Sequence, residues 1–312
     1  MSALLDVILP VFLIIGFGWV AARGGLITEA GIDGIMRFSQ NFALPCLLFR
    51  NMAGLDLRTA FDPGLMISFY AGAFIGFGAG FLGARLLFKR PVTDSIAIGF
   101  ACLFSNSLLL GLAITERAYG PEALAGNYAI IALHSPFLYG TGITIMELAR
   151  SRGLGLGPSA MVRQTLRAIF TQPLVFGISL GFLVNISGLP LPEIAASALD
   201  MMGRSAIPAA LFGLGGVLFR YRPEGDTRTI LWICFCSLVL HPAVTFGLGR
   251  FVFDLPVPGL RSATVTAAMP PGVNAYLFAH MYGVAKRVTA SAVLVATALA
   301  LFTAAVWLHL LP

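Results

Sequence analysis

A chain of 312 residues that is 58% hydrophobic and only 11% charged cannot clothe a folded surface in polar groups, since soluble domains carry about a quarter charged residues. That excludes a soluble enzyme or binding module and places the chain in a lipid bilayer. The net charge of +6 comes from Lys and Arg in short loops between apolar runs, which is a membrane pattern and not a nucleic-acid-binding face.

A membrane-crossing helix needs about 20 mostly apolar residues. Ten runs qualify: Leu4–Ala22, Ile32–Met52, Gly64–Phe88, Ser95–Ala118, Asn127–Leu148, Leu166–Ile186, Glu193–Phe219, Thr229–Phe253, Leu260–Tyr282 and Thr289–Leu310. The opening "MSALLD" has no basic region, so the first run is read as a span and not a cleaved leader. Thirteen Lys and Arg fall on the side of the loops that follow odd-numbered runs and five on the other side, with Arg37 and Arg204 inside runs. Positive charge stays in the cytoplasm. The expectation is a multi-pass protein of the cytoplasmic (inner) membrane with both termini on the non-cytoplasmic side. The Gly-rich linker "ARSRGLGLGPSAMVRQ", residues 149–164, is then cytoplasmic. Cys46, Cys102, Cys234 and Cys236 all sit in apolar runs and read as small core residues.

Shifted by 163 residues, the sequence partly matches itself. Gly18 falls on Gly181, "ALPCLLF" (Ala43–Phe49) on "AIPAALF" (Ala206–Phe212), and Tyr119-Gly120 on Tyr282-Gly283. Five runs per half is an odd number, so the second half enters the membrane inverted, as in many secondary transporters. The expected fold is all-α and membrane-integral, with ten transmembrane helices as two inverted five-helix repeats, residues 1–148 and 165–312, joined by the linker.

Two runs contain helix breakers. Run 9 carries Pro270, Pro271, Gly272 and Asn274 in "TAAMPPGVNAYLFAH". The prolines remove two N–H donors and clash with the preceding turn. A half-helix starting near Asn274 would then offer free N–H groups and a positive dipole end to an anion. Run 4, its repeat mate, has Ser105, Asn106 and Ser107, then Gly111, whose side chains and flexibility accept a local break. Unpaired backbone in a bilayer is tolerated only where it lines a cavity. The blander alternatives are a proline kink in run 9 and a polar packing seam in run 4.

"NFALPCLLFRNMA", "FSNSLLLGLAI" and "MPPGVNAYLFAHMYGVAKRVTASAVLVAT" resemble the auxin efflux carrier family over nearly the whole chain. The resemblance implies interrupted helices 4 and 9 crossing at the centre beside the substrate site, kinship to bile acid–sodium symporters, and organic-anion substrates such as auxin, malate or malonate. Family members carry a proline just after the run 4 glycine, where this chain reads Gly111-Leu112-Ala113. The break here is therefore either shallower or rests on Ser105, Asn106 and Ser107 alone. The long hydrophilic central loop of plant members is missing.

Other motifs are set aside. "GAGFLG" (Gly78–Gly83) and "GISLG" (Gly177–Gly181) match a dinucleotide fingerprint and a nucleophile elbow, but both lie in apolar helical runs without the strand each needs. His134, His241 and His280 lie in or near the membrane. They read as neutral rings bonded to carbonyls, with a proton relay as the alternative. Asp200 and Arg204 are four apart and can pair on one helix face. The repeat places Asn41 on Arg204, and the alternative is that Arg204 meets the anion.

The reading is a secondary transporter, not an enzyme, moving a small organic anion such as a carboxylate by alternating access. The substrate-binding set is Ser105, Asn106, Ser107, Pro270, Pro271, Gly272 and Asn274, with Asn41 and Arg204. No cofactor or metal is expected. The partners are the anion and the lipid bilayer, with a homodimer left open and no nucleic acid. The rival class is a membrane-embedded sensor that binds a similar ligand without transporting it.

Overall fold

The computed structural model describes residues 3–151, 163 and 172–312. The rest of the linker and the first residues of run 6, including Arg152 and Arg167, lie outside the described residues. Run 1 forms α1 (Leu9–Arg23), and run 2 forms α2 (Glu29–Phe38) and α3 (Leu44–Ala53). Next come α4 (Pro63–Leu82), then α5 (Val92–Leu103) and α6 (Leu112–Tyr119) from run 4, and α7 (Ala125–Ser151). The second half supplies α8 (Pro173–Ser187), α9 (Glu193–Arg220), and α10 (Thr227–Phe235) with α11 (His241–Phe251). It ends with α12 (Val257–Ala267) and α13 (Val273–Tyr282) from run 9, and α14 (Lys286–Leu310).

Among the described residues, six helical stretches are long and apolar enough to cross a bilayer: Leu5–Arg23, Pro63–Leu87, Pro121–Arg150, Glu193–Arg220, Thr227–Phe251 and Lys286–Leu310. Their exposed side chains form apolar stripes at helical spacing. Leu13, Phe17 and Val20 are exposed on α1, and Leu299, Phe302 and Val306 on α14. Large apolar groups left outside at that spacing need lipid as their solvent. The chain is an integral, multi-pass membrane protein.

Prolines shape the helices locally. Ahead of Pro45 and of Pro242 the helix widens into a π turn, at Ser39–Ala43 and Cys236–Leu240. The wider turn relieves the clash between the ring and the carbonyl four residues back. Glycines set the packing between helices. A Cβ at Gly18 would overlap the Phe212 carbonyl oxygen, and one at Gly181 would lie 2.7 Å from the Phe49 carbonyl oxygen. Helices α1 and α9, and likewise α3 and α8, therefore meet backbone to backbone. All four cysteines are free, and Cys102, Cys234 and Cys236 are buried.

Charges gather at the helix ends. Arg220 pairs with Asp33 at 2.8 Å and Arg90 with Asp226 at 3.4 Å. The Thr229 hydroxyl, donating to Asp226 at 2.6 Å, holds that carboxyl below the ordinary carboxylate range, helped by the Arg228 N–H and Arg90.

The expected Asp200–Arg204 pair does not form. Asp200 instead meets Arg50 of α3, with Nε to Oδ1 at 3.1 Å and both side chains about two-fifths exposed, 39% and 40%. Tertiary packing brings Arg50 across from α3, whereas Arg204 turns outward and is exposed. An ion pair with this much water access contributes roughly 0.2–1 kcal/mol. Asp200→Asn is therefore expected to cost less than about 1 kcal/mol, and Arg204→Gln to stay within roughly 0.5 kcal/mol of the parent. Thermal denaturation of both purified variants checks this. A large loss in Arg204→Gln would restore the pairing expected from sequence.

Candidate functional site

Run 4 breaks completely, without a proline. Helix α5 stops at Leu103, Phe104 and Asn106 take non-helical backbone (φ −97°, ψ 86° and φ −77°, ψ 56°), and helix resumes as a π turn at Ser107–Gly111. In run 9, α12 ends at Ala267, Gly272 is extended (φ −71°, ψ 162°), and α13 starts at Val273. The two breaks cross and pair with each other. Asn106 N–H donates to the Pro270 carbonyl at 2.8 Å, and Gly272 N–H donates to the Phe104 carbonyl at 3.0 Å. Ser105 and Pro271 thus form an isolated antiparallel bridge. Buried backbone groups must find partners, and each break supplies those of the other. Pairing with the extended Pro270–Gly272 stretch completes the run 4 break, so no proline is needed after Gly111.

Polar side chains anchor the crossing. The Asn127 amide of α7 donates to Thr115 of α6 at 3.0 Å and to Thr266 of α12 at 2.8 Å, tying three helices together in the interior. Tyr139 donates its hydroxyl to the Asn274 carbonyl at 3.3 Å. Phe100 stacks on Phe278 at 4.0 Å between ring centroids.

Beside the crossing lies a cavity of about 290 Å³, the size of a small metabolite site. Ser105, Asn106, Ser107, Gly272 and Asn274 line it. The Ser105 and Ser107 hydroxyls bond to each other at 2.8 Å. The side-chain amides of Asn106 and Asn274 have no hydrogen-bond partner among the described residues and are free for a ligand. Gly272 offers no side-chain cap, so the first N–H groups of α13, at Val273 and Asn274, have no acceptor either. Among the described residues, no Asp, Glu, Lys or Arg lines this cavity.

Four of the candidate residues lie elsewhere. Pro270 and Pro271 are buried and shape the backbone without lining the cavity. Asn41 is exposed and lines neither this cavity nor the next, while its neighbour Gln40 does face the cavity. One residue is about 100° of helix rotation, and register alone does not fix which of two adjacent amides points inward. Arg204 lines a second, larger recess of about 950 Å³, together with Arg50, Glu116, Arg117 and Asp200. The sequence reading also missed Tyr139 and Gln172 as cavity residues. Each is a polar group bordering an apolar stretch, the one signal that could have found it.

A helical, lipid-embedded chain with a largely apolar internal cavity that gathers amides and hydroxyls at two broken helices belongs to the class of membrane transporters. Comparison with known proteins makes this specific: residues 3–156 and 157–308 match the family described as membrane transport protein. The chain belongs to that family, the auxin efflux carriers. It is 24% identical to a Rhizobium meliloti (strain 1021) protein named "Putative malonate transporter" over 320 residues, covering 100% of this chain and 97% of the relative. It is 26% identical to auxin efflux carrier component 5 of Arabidopsis thaliana over 125 residues, 38% of this chain and 34% of that one. A 28% identical stretch of 225 residues links 69% of this chain to 26% of the lysosomal cholesterol signaling protein of Mus musculus.

Proposed function

We propose that this membrane transporter carries a small organic anion of the carboxylate class by alternating access of two inverted five-helix repeats, residues 1–148 and 165–312, around the crossing. The observation that carries this reading is the pair of half-helix starts converging on one cavity, with free N–H groups at Val273 and Asn274 and unpartnered amides on Asn106 and Asn274. Such a site stabilises negative charge through partial positive charges, and among the described residues it holds no fixed cation from which the anion would have to escape. The repeat is supported by contacts as well as by sequence. Gly18 packs on the Phe212 carbonyl and Gly181 on the Phe49 carbonyl, and adding 163 to Gly18 and Phe49 gives Gly181 and Phe212. Arg204 and Arg50 line the second recess, where positive charge favours the approach of an anion.

The test is uptake of labelled malonate, succinate and pyruvate into liposomes holding the purified protein. Time-dependent accumulation above protein-free vesicles is expected. Binding of one of these acids without uptake would favour a sensor, the second reading, which the partial likeness to a signaling protein makes worth separating.

Uptake is expected to be independent of sodium. A sodium site needs several hard oxygen ligands, commonly including a carboxylate, and no Asp or Glu lines the cavity among the described residues. Uptake that vanishes when potassium replaces sodium would contradict this.

The inner-membrane orientation with both termini outside the cytoplasm is part of the same proposal. Thr59, exposed between α3 and α4, is then outside. Thr59→Cys, on a background without the four native cysteines, should react in intact cells with an impermeant thiol reagent, and protection until the cells are lysed would invert the topology.

A further inference from the structure

His134 of α7 stands in the wall of the central cavity and is 4% exposed. Its ring leans on the Ser105 backbone carbonyl, but neither ring nitrogen completes a well-formed hydrogen bond among the described residues. Buried polar atoms are nearly always fully satisfied, so an imidazole held this loosely beside a cavity has a nitrogen to offer a proton or a ligand. Its surroundings are otherwise complete. The Phe104 ring packs edge-on at 4.5 Å between centroids, and Phe69 of α4 lies at 5.7 Å.

The ionisable groups around it are few. His241 of α11 also packs against Phe69, at 5.1 Å between ring centroids, and engages the Phe69 carbonyl through Nε2 at 3.3 Å. Tyr70 of α4 donates its hydroxyl to the Ile130 carbonyl at 2.9 Å, and Tyr139 of α7 donates to the Asn274 carbonyl. Neither the run 4 break nor the parts of α2, α3, α8, α9 and α13 that line the cavity add an Asp, Glu, Lys or Arg. A positive ring at His134 therefore has no counter-charge among the described cavity residues, and a buried charge without one is costly. A carboxylate entering the cavity is in the same position, since the described walls offer it dipoles and no cation. Each charge is the missing partner of the other.

We propose that His134 takes up one proton when the anion binds and releases it when the anion leaves, making the protein a proton–carboxylate symporter. This rests on the carboxylate-transport reading above. The balance is simple: a proton from water adds to a ring nitrogen, the imidazolium faces the carboxylate, and both depart on the other side with no bond to the substrate made or broken. Binding and protonation are then reciprocal. The sign follows from the linkage. The loaded state holds the extra proton, so affinity is highest at low pH and falls as pH rises, by at most about tenfold per pH unit for a single linked proton.

The probes are malonate, succinate and pyruvate, used at pH values where each is fully ionised, so that their own titration does not enter. Two measurements on the wild-type protein come first. Adding an acid that binds to weakly buffered purified protein, followed with a pH dye, should alkalinise the solution by up to one proton per site. Uptake into liposomes should rise when the outside is made more acidic than the lumen. In His134→Gln the residual affinity, whatever its strength, should no longer change with pH. Wild-type uptake that is indifferent to the gradient, with no proton taken up on binding, would overturn the coupling and leave the transport reading standing. A pH-dependent affinity that survives in His134→Gln would move the proton to another group and equally defeat the proposal. If none of the three acids binds or enters, the carboxylate reading itself fails and the coupling falls with it.

Discussion

Asn274→Ala is expected to weaken carboxylate binding about ten- to a hundredfold. The side-chain amide of Asn274 lines the central cavity and bonds to no other described residue, so its removal strands nothing within the fold. Losing a hydrogen bond to a charged ligand costs roughly 1–3 kcal/mol, which is that range in affinity. Asn106→Ala should behave alike. Its backbone N–H is the group that pairs with Pro270, and alanine keeps it. Melting temperature should stay near the parent value in both variants while affinity falls. Calorimetric titration of folded protein with an acid that enters liposomes decides the point, and unchanged affinity in both variants would remove the amides from the site.

The second large effect is structural. Gly18→Leu is expected to leave little folded protein, because even a Cβ there overlaps the backbone of α9 at Phe212. Two helices touching through their main chains have no side-chain rotamer that can give way. The α1–α9 contact would have to open along its length, at more than about 3 kcal/mol. Gly16→Leu is the control, on the same helix two residues away, where a Cβ meets nothing within 4 Å. It should fold and melt like the parent. The repeat adds a further check, since Gly181→Leu meets the Phe49 backbone of α3 and should be as damaging as Gly18→Leu. Equal tolerance of leucine at positions 16 and 18 would show that α1 does not pack on α9 in this way.

The central site and the histidine coupling read together as one device. A cavity walled by amides, hydroxyls and helix ends binds an anion weakly enough to release it. His134 in that wall lets the bound anion carry a proton. The second recess, with three arginines and two acids, is the opposite in character, and its net positive lining suits capture and not tight binding.

The sequence by itself determined what lipid and backbone chemistry dictate locally. Low charge and long apolar runs require a membrane protein, because no other solvent accepts that surface. Pro270 and Pro271 require a break in run 9, since proline has no N–H to give. The cluster Ser105–Ser107 marked the matching break, and five of the nine candidate site residues line the cavity. What only the tertiary structure decided depends on which helix stands beside which. The run 4 break is full because the stretch Pro270–Gly272 arrives to satisfy it, and no feature of run 4 alone says so. Arg50, from another helix, takes Asp200 away from Arg204. Gln40 faces the cavity where Asn41 was expected, and His134, set down as a neutral ring bonded to a carbonyl, leans on the Ser105 backbone from the cavity wall. Spacing along a helix says which residues share a face. What that face meets is set by packing between helices distant in sequence, and there the choice of ion-pair partner and of cavity wall is made.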